Sequence, residues 1–301
     1  ERERCGRIDV FQSADVRVKL LITGARGQLG LALHRRLSVE HEVVAVGHTE
    51  LDIADAVACK RMIAQVHPDA VLNCAAYTAV DKAETDHEAA FAINAKGAGN
   101  IAAACAEIGA FPVHFSTDYV FDGAAKQPYV ETNQTNPLGV YGQTKLQGEL
   151  AVAAASPAHL IFRLSWVYSN DGANFYKTML RLAADRPVLR VVADQFGVPN
   201  YTGDLAEAIA TVLSRSRGEL ERLSGLYHLS ARGATNWCEF ARAIMQGAGL
   251  ATVVEAIGTV DYPTPAKRPA YSVLDSAKFN DAFAFENTDW RQGLARCLAS
   301  R

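Results

Sequence analysis

Tyr141 and Lys145, four positions apart in YGQTK, and Thr117 in the upstream run STDYVFDG are the residues best suited to acid–base chemistry. A phenol ordinarily loses its proton near pH 10, too high for proton transfer at neutral pH. A nearby ammonium favours the phenolate and draws that value toward the working range. The i, i+4 spacing puts both groups on one face of a helix. A threonine hydroxyl at a strand end can donate to a carbonyl oxygen that gains negative charge as hydride arrives. Taken alone, Y-x-x-x-K is a common chance pattern and usually a surface contact, so its neighbours decide its meaning.

The turn GARGQLG at 24–30 is that neighbour. Gly24, Gly27 and Gly30 permit a tight strand-to-helix turn and close approach of backbone to a pyrophosphate, with Gln28 and Leu29 beside it. The helix that follows offers unpaired N–H groups and a partial positive charge to phosphate oxygens. The spacing is G-x-x-G-x-x-G, not G-x-G-x-x-G, and such turns also carry glycines for steric reasons alone. The strand before it and the alternating frame after it select the dinucleotide reading. NAD sites usually carry Asp or Glu about 20 residues past the loop, on the ribose 2′-hydroxyl. Here the second strand ends in Val46, Gly47 and His48 with no carboxylate, while Arg26 sits inside the loop. A guanidinium there can meet a 2′-phosphate. The expected cofactor is NADPH or NADH, with NADPH accepted at least as well.

These groups need a frame. Apolar β-branched runs predict strands at 16–23, 42–46, 70–73, 111–116 and 158–164. Helical patterns fill 29–37, 57–66, 84–108, 141–155 and 204–213. Strands alternating with helices at this spacing predict an α/β fold, a doubly wound parallel (Rossmann) sheet with helices on both faces. After Trp166 the alternation loosens and Pro187, Pro199, Pro263, Pro265 and Pro269 cluster, which suggests a smaller C-terminal α/β substrate domain. The expected division is 17–165 plus about 201–222 for the dinucleotide, 166–200 plus about 223–301 for the substrate, and an N-terminal extension at 1–16.

Composition narrows the function classes. With 49% hydrophobic and 21% charged residues among 301, the chain can build a sizeable core. A formal charge of −3 gives no long-range pull toward nucleic acid or an anionic membrane. No apolar run reaches the roughly 18 residues of a spanning helix. The polar stretch 1–16 lacks the apolar segment of a secretory signal. The cysteines Cys5, Cys59, Cys74, Cys105, Cys238 and Cys297 form no C-x-x-C pair. They read as small buried residues in a reducing compartment, so a cytoplasmic protein is expected.

Through GARGQLG, NCAAYTAVDKAE (73–84), STDYVFDG (116–123) and YGQTK, the chain resembles the extended short-chain dehydrogenase/reductases. It is most similar to the branch acting on dTDP-linked keto-sugars, through RLSWVYS (163–169), DQFGVPNYTGDLA (194–206), GLYHLS (225–230) and KRPAYSVLD (267–275). The likeness spans about 17–298; the later motifs are the more specific. It implies reduction of the C4 ketone of dTDP-4-dehydro-L-rhamnose, with Thr117, Tyr141 and Lys145 as catalytic residues and Tyr141 protonating the C4 oxygen. It also implies Asp52 and Ile53 beside the adenine, and Ala75, Ala76, Tyr77 and Asn94 along the ribose and pyrophosphate path. Asp118 and Trp166 would face the sugar, and Arg268 would either grip the diphosphate or hold a Pro-flanked loop. Some relatives bind Mg2+ at a homodimer contact, so both enter as expectations without assigned ligands. Asn200 and Asn236 stand where the branch commonly has Thr and Ser; Asn236 lies where a helix should start, and Asn caps as well as Ser.

Two other functions fit parts of the pattern. An epimerase or dehydratase would recycle its nicotinamide, but the dehydratase usually has Asp–Glu after the threonine, where this chain has Asp118 and Tyr119. Related chains also serve, without catalysis, as regulatory subunits of methionine adenosyltransferase. The complete Thr117, Tyr141 and Lys145 set favours catalysis.

Overall fold

The computed structural model describes residues 17–301, so the extension predicted at 1–16, with Cys5, lies outside the described residues. Five parallel strands follow the sequence pattern closely: β1 (Lys19–Thr23), β2 (Glu42–Val46), β3 (Ala70–Asn73), β4 (Phe111–Thr117) and β5 (Leu160–Leu164). A sixth, β6 (Gly225–His228), pairs in parallel with β5, so the chain returns to this sheet late. From one edge the order is β6, β5, β4, β3, β1, β2. β1 therefore lies between β2 and β3, and the direction of winding reverses there, where open α/β sheets bind ligands at the carboxyl ends of the strands.

Alternation along β1 explains the layers. Leu20 and Ile22 are buried with Leu33 and Leu37 of α1 (Gln28–Leu37) and with Leu205 and Ile209 of α5 (Thr202–Leu213). Leu21 is buried on the opposite face with Cys59 and Ile63 of α2 (Ala56–Val66) and Ile101 and Cys105 of α3 (Ala98–Ile108). Period-two side chains thus serve two helical layers. α4 (Val140–Ala155) packs beside α3 on that second side and carries Tyr141 and Lys145.

The single helix predicted over 84–108 is broken. Short helices Val80–Ala83 and His87–Phe91 lead into a π-helical turn, Ala92–Gly97, and only then into α3. Close packing goes with the wider turn. A Cβ on Gly148 of α4 would fall 2.2 Å from the Asn94 carbonyl, so the helices meet at backbone distance. π turns of this kind cluster at functional sites, and this one aims Asn94 at the segment after β3.

A second core lies beyond β5. Tyr168, Tyr176, Phe240 and Trp290 are buried together, with helices Phe175–Asp185, Trp237–Gly247 and Trp290–Ala299 around them. Three small sheets pair Val188–Val192 with Val253–Ile257, Phe196–Gly197 with Thr235–Asn236, and Val167–Tyr168 with Asn200–Tyr201. Asn236 caps its helix by accepting the Glu239 amide at 2.8 Å, as its residue type predicts. Asn200 is buried and structural: its amide donates to the Ser165 and Val198 carbonyls at 2.7 and 2.9 Å. Among the described residues, no helix is long and apolar enough to cross a membrane.

Candidate active site

The carboxyl ends of β1, β3 and β4 open onto a cleft of about 670 Å3, a size that takes a small-molecule ligand. Gly24 turns the chain out of β1 with φ +63°, and a Cβ there would lie 2.5 Å from the Ala75 amide nitrogen. A Cβ on Gly30 would lie 2.5 Å from the Gly24 carbonyl, so glycine is what allows α1 to start this close to the strand. No side chain caps α1. Its first-turn N–H groups at Gln28, Leu29 and Gly30 are therefore free for phosphate oxygens. The Gln28 side chain spans the cleft, accepting from Ser169 at 3.2 Å and Asn174 at 2.6 Å on the far wall.

Ala75, Ala76, Asp52 and Ile53 line the cleft as expected. Tyr77 and Asn94 do not. Asn94 accepts the Tyr77 amide at 2.8 Å and donates to its carbonyl at 3.1 Å and to Thr144 at 3.1 Å. The Tyr77 phenol donates to Asp86 at 3.0 Å. This pair braces the segment that carries Ala75 and Ala76.

Past the second strand the fold departs from the expectation of a site with no carboxylate nearby. The second strand does end without a carboxylate, but the turn after it folds Glu50 back onto the Gly47 amide at 2.9 Å and into an ion pair with Arg26. Glu50 follows Gly30 by 20 residues, the spacing at which a ribose-binding acid is sought. Glu50 lies beyond the end of the strand, and the sequence pattern does not show that the turn returns it there.

Thr117, Tyr141 and Lys145 come together on the cleft wall. Thr117 ends β4, donates to Asp118 Oδ1 at 3.1 Å and accepts the Tyr119 amide at 3.2 Å. Tyr141 sits in the first turn of α4, where Glu84 accepts the Val140 amide at 2.8 Å and the Tyr119 ring meets the Tyr141 ring edge-on at 5.6 Å. Lys145 is buried one turn on and donates to the Phe115 carbonyl, with His114 Nε2 at 3.5 Å. Burial pushes the Tyr141 phenol up to about 12, the Asp118 carboxylate adds to this, and the Thr117 hydroxyl opposes it. Burial brings the Lys145 ammonium down to about 8 against the pull of Glu149. Burial thus sets the direction of the Tyr141 shift, upward, whereas proximity to Lys145 alone argues for a lower value.

Asp118 is buried, and burial pushes its carboxyl up to about 7. Its Oδ2 has no hydrogen-bond partner. Trp166 adopts φ 42° and stacks on Trp237 at 3.5 Å and 8°, making an aromatic wall of the cleft that the sequence reading only half found. Trp237 was missed because its role depends on a partner 71 positions away in the chain. Arg268 does not line the cleft. Its guanidinium is committed to Asp81 at 2.8 Å and to the Ala266 carbonyl at 3.1 Å, so of its two predicted roles the geometry gives the structural one. Among the described residues, no group of three or more His, Cys, Asp or Glu could hold a metal ion.

A glycine-lined turn at the switch point of a parallel sheet, with Thr117, Tyr141 and Lys145 on one wall of the cleft, is the arrangement of a short-chain dehydrogenase/reductase. Residues 18–301 match the RmlD substrate binding domain family. The chain is 42% identical over 292 residues to the dTDP-4-dehydrorhamnose reductase of Burkholderia thailandensis, covering 93% of this chain and 98% of that protein. It is 41% identical to the Escherichia coli dTDP-4-dehydrorhamnose reductase, covering 93% of this chain and 97% of that one. The crystal structure of the Bacillus anthracis dTDP-4-dehydrorhamnose reductase in complex with NADP superposes with a TM-score of 0.91 at 35% identity, over 95% of this chain and 100% of that one. The chain belongs to the dTDP-4-dehydrorhamnose reductase family.

Proposed function

We propose that the protein reduces the C4 ketone of dTDP-4-dehydro-L-rhamnose to dTDP-L-rhamnose with NADPH or NADH, as in dTDP-rhamnose biosynthesis. The observation that carries this is the convergence of Thr117, Tyr141 and Lys145 on the cleft that the uncapped start of α1 also borders. The residues suit a dinucleotide: a Cβ at Gly24 or Gly30 would close the turn, and the first-turn amides are free for a pyrophosphate. When bound, the reduced nicotinamide supplies the hydride that converts the C4 carbonyl to an alcohol.

Tyr141, protonated across the neutral range, gives its proton to the C4 oxygen as charge develops there. The Thr117 hydroxyl, oriented by Asp118, turns to donate to the same oxygen. Lys145, anchored on the Phe115 carbonyl, presents its remaining N–H groups to the nicotinamide ribose. Asp52 and Ile53 take the adenine side, Ala75 and Ala76 the ribose and pyrophosphate path, and Asp118 and Trp166 the sugar. In the domain division that goes with this reading, 17–165 and about 201–222 hold the dinucleotide, joined by strand β6, and the remainder holds the sugar. Five described cysteines, all unpaired, suit a reducing compartment such as the cytoplasm.

The test supplies dTDP-4-dehydro-L-rhamnose with NADPH or NADH and follows the reduced-nicotinamide absorbance. One cofactor consumed per sugar converted is expected. Product without net consumption would indicate an epimerase or dehydratase, and folded, cofactor-binding protein without turnover would indicate the regulatory class.

A further inference from the structure

The turn after β2 places a cation and an anion side by side at the edge of the cleft. Arg26 Nη2 meets Glu50 Oε1, and Glu50 Oε2 accepts the Gly47 amide at 2.9 Å. Arg26 and Gly47 both line the cleft. A Cβ on Gly47 would lie 2.9 Å from Arg26 Nε and 3.0 Å from Glu50 Oε2, so the backbone of this turn is pressed against both side chains. The two side chains are 69% and 43% exposed. An ion pair that wet is weakly held and exchanges partners readily.

On the dinucleotide reading above, the end of the second strand is where the adenosine ribose presents its 2′ position. A 2′-hydroxyl donates and seeks a carboxylate, whereas a 2′-phosphate accepts and takes a guanidinium on two oxygens. The chain holds one group for each, and each occupies the other. We propose that Arg26 and Glu50 act as a cofactor switch that makes Glu50 the limit on NADPH preference. With NADH, Glu50 keeps Arg26 and receives the 2′-hydroxyl. With NADPH, Arg26 leaves Glu50 for the 2′-phosphate, and the carboxylate left beside that phosphate repels it. This inference rests on the proposed function only for the presence of a nicotinamide dinucleotide, and not on the sugar.

The test is a titration of NADPH and NADH by nicotinamide fluorescence, without sugar, on the full chain and its variants. Glu50→Gln keeps an acceptor for the Gly47 amide and removes the charge; both residues are exposed, so the core is untouched. It should lower the NADPH Kd by about threefold to fivefold, the range of an exposed charge contact, while NADH holds or weakens by up to about threefold. Arg26→Ala should weaken NADPH by about tenfold, leave NADH within about twofold, and take away at least half of the gain from Glu50→Gln. If Glu50→Gln leaves the ratio of the two Kd values within about twofold of wild type, the switch is refuted while cofactor binding stands. If the wild type binds neither cofactor, the dinucleotide reading fails and takes the switch with it.

Discussion

Replacing Asp118 by Asn should stabilise the protein at slightly alkaline pH and leave it nearly unchanged in acid. Asp118 is 1% exposed; its Oδ1 accepts from Thr117 at 3.1 Å and its Oδ2 has no partner. Burial moves the carboxyl from 3.8 to about 7. The folded state therefore holds this proton more tightly than the unfolded chain. The penalty is absent below about pH 4, grows as pH rises, and is complete above about pH 7. At about 1.4 kcal/mol per pH unit the full penalty is about 4 kcal/mol, of which roughly 3 kcal/mol accumulates between pH 5 and pH 8. The amide introduced by Asp118→Asn would keep an acceptor for Thr117 and carry no charge. Urea unfolding of both proteins at pH 5 and pH 8 cancels every titration they share. The variant's advantage should grow by about 2–3 kcal/mol over that range, while turnover falls because Thr117 loses its anionic partner. An advantage that stays constant within about 0.5 kcal/mol would refute the burial argument.

Three further outcomes follow from the same geometry. Tyr141→Phe should lower kcat by about 100-fold to 10,000-fold and leave NADPH Kd within about twofold, measured by stopped-flow and by cofactor fluorescence, since only the proton donor is lost. The rate should fall as pH rises through about 8, where Lys145 loses its charge because burial depresses this cation, and should fall again below about 7, where Asp118 takes up its proton and Thr117 loses its anionic partner. A pH–kcat/KM profile flat from pH 7 to about 10 would remove Lys145 from that role. Glu149→Gln should cost about 3–5 kcal/mol in urea unfolding, since it leaves the buried Arg163 guanidinium, now held at 2.8 and 2.7 Å, without a counter-charge.

How far the sequence carried depends on the range of the interactions involved. β2 and β3 were legible to the residue because short apolar runs in a parallel sheet need no partner to be recognised. Tyr141 and Lys145 were legible because one helical turn relates them. Thr117 followed from the end of β4. What stayed hidden depends on contacts between distant segments. Arg268 reaches Asp81 across 187 positions, so its commitment could not be read from KRPAYS. Trp166 and Trp237 become one wall only when the second core forms. The π turn at Ala92–Gly97 shares its alanine-rich composition with an ordinary helix, and only its packing against Gly148 sets it apart. The direction of the Tyr141 shift was hidden as well: proximity of Lys145 argues for a lower value, and the burial that raises the phenol is a property of the folded cleft.

Hydride transfer to the sugar is read most directly by isotope labelling. NADPH doubly deuterated at nicotinamide C4 is incubated with the protein and dTDP-4-dehydro-L-rhamnose, and the product sugar is read by NMR. dTDP-L-rhamnose with deuterium at C4 is expected, formed in step with cofactor loss and slowed at least about 100-fold in Tyr141→Phe. Product without deuterium at C4, or no product from folded protein that binds NADPH, would contradict that transfer.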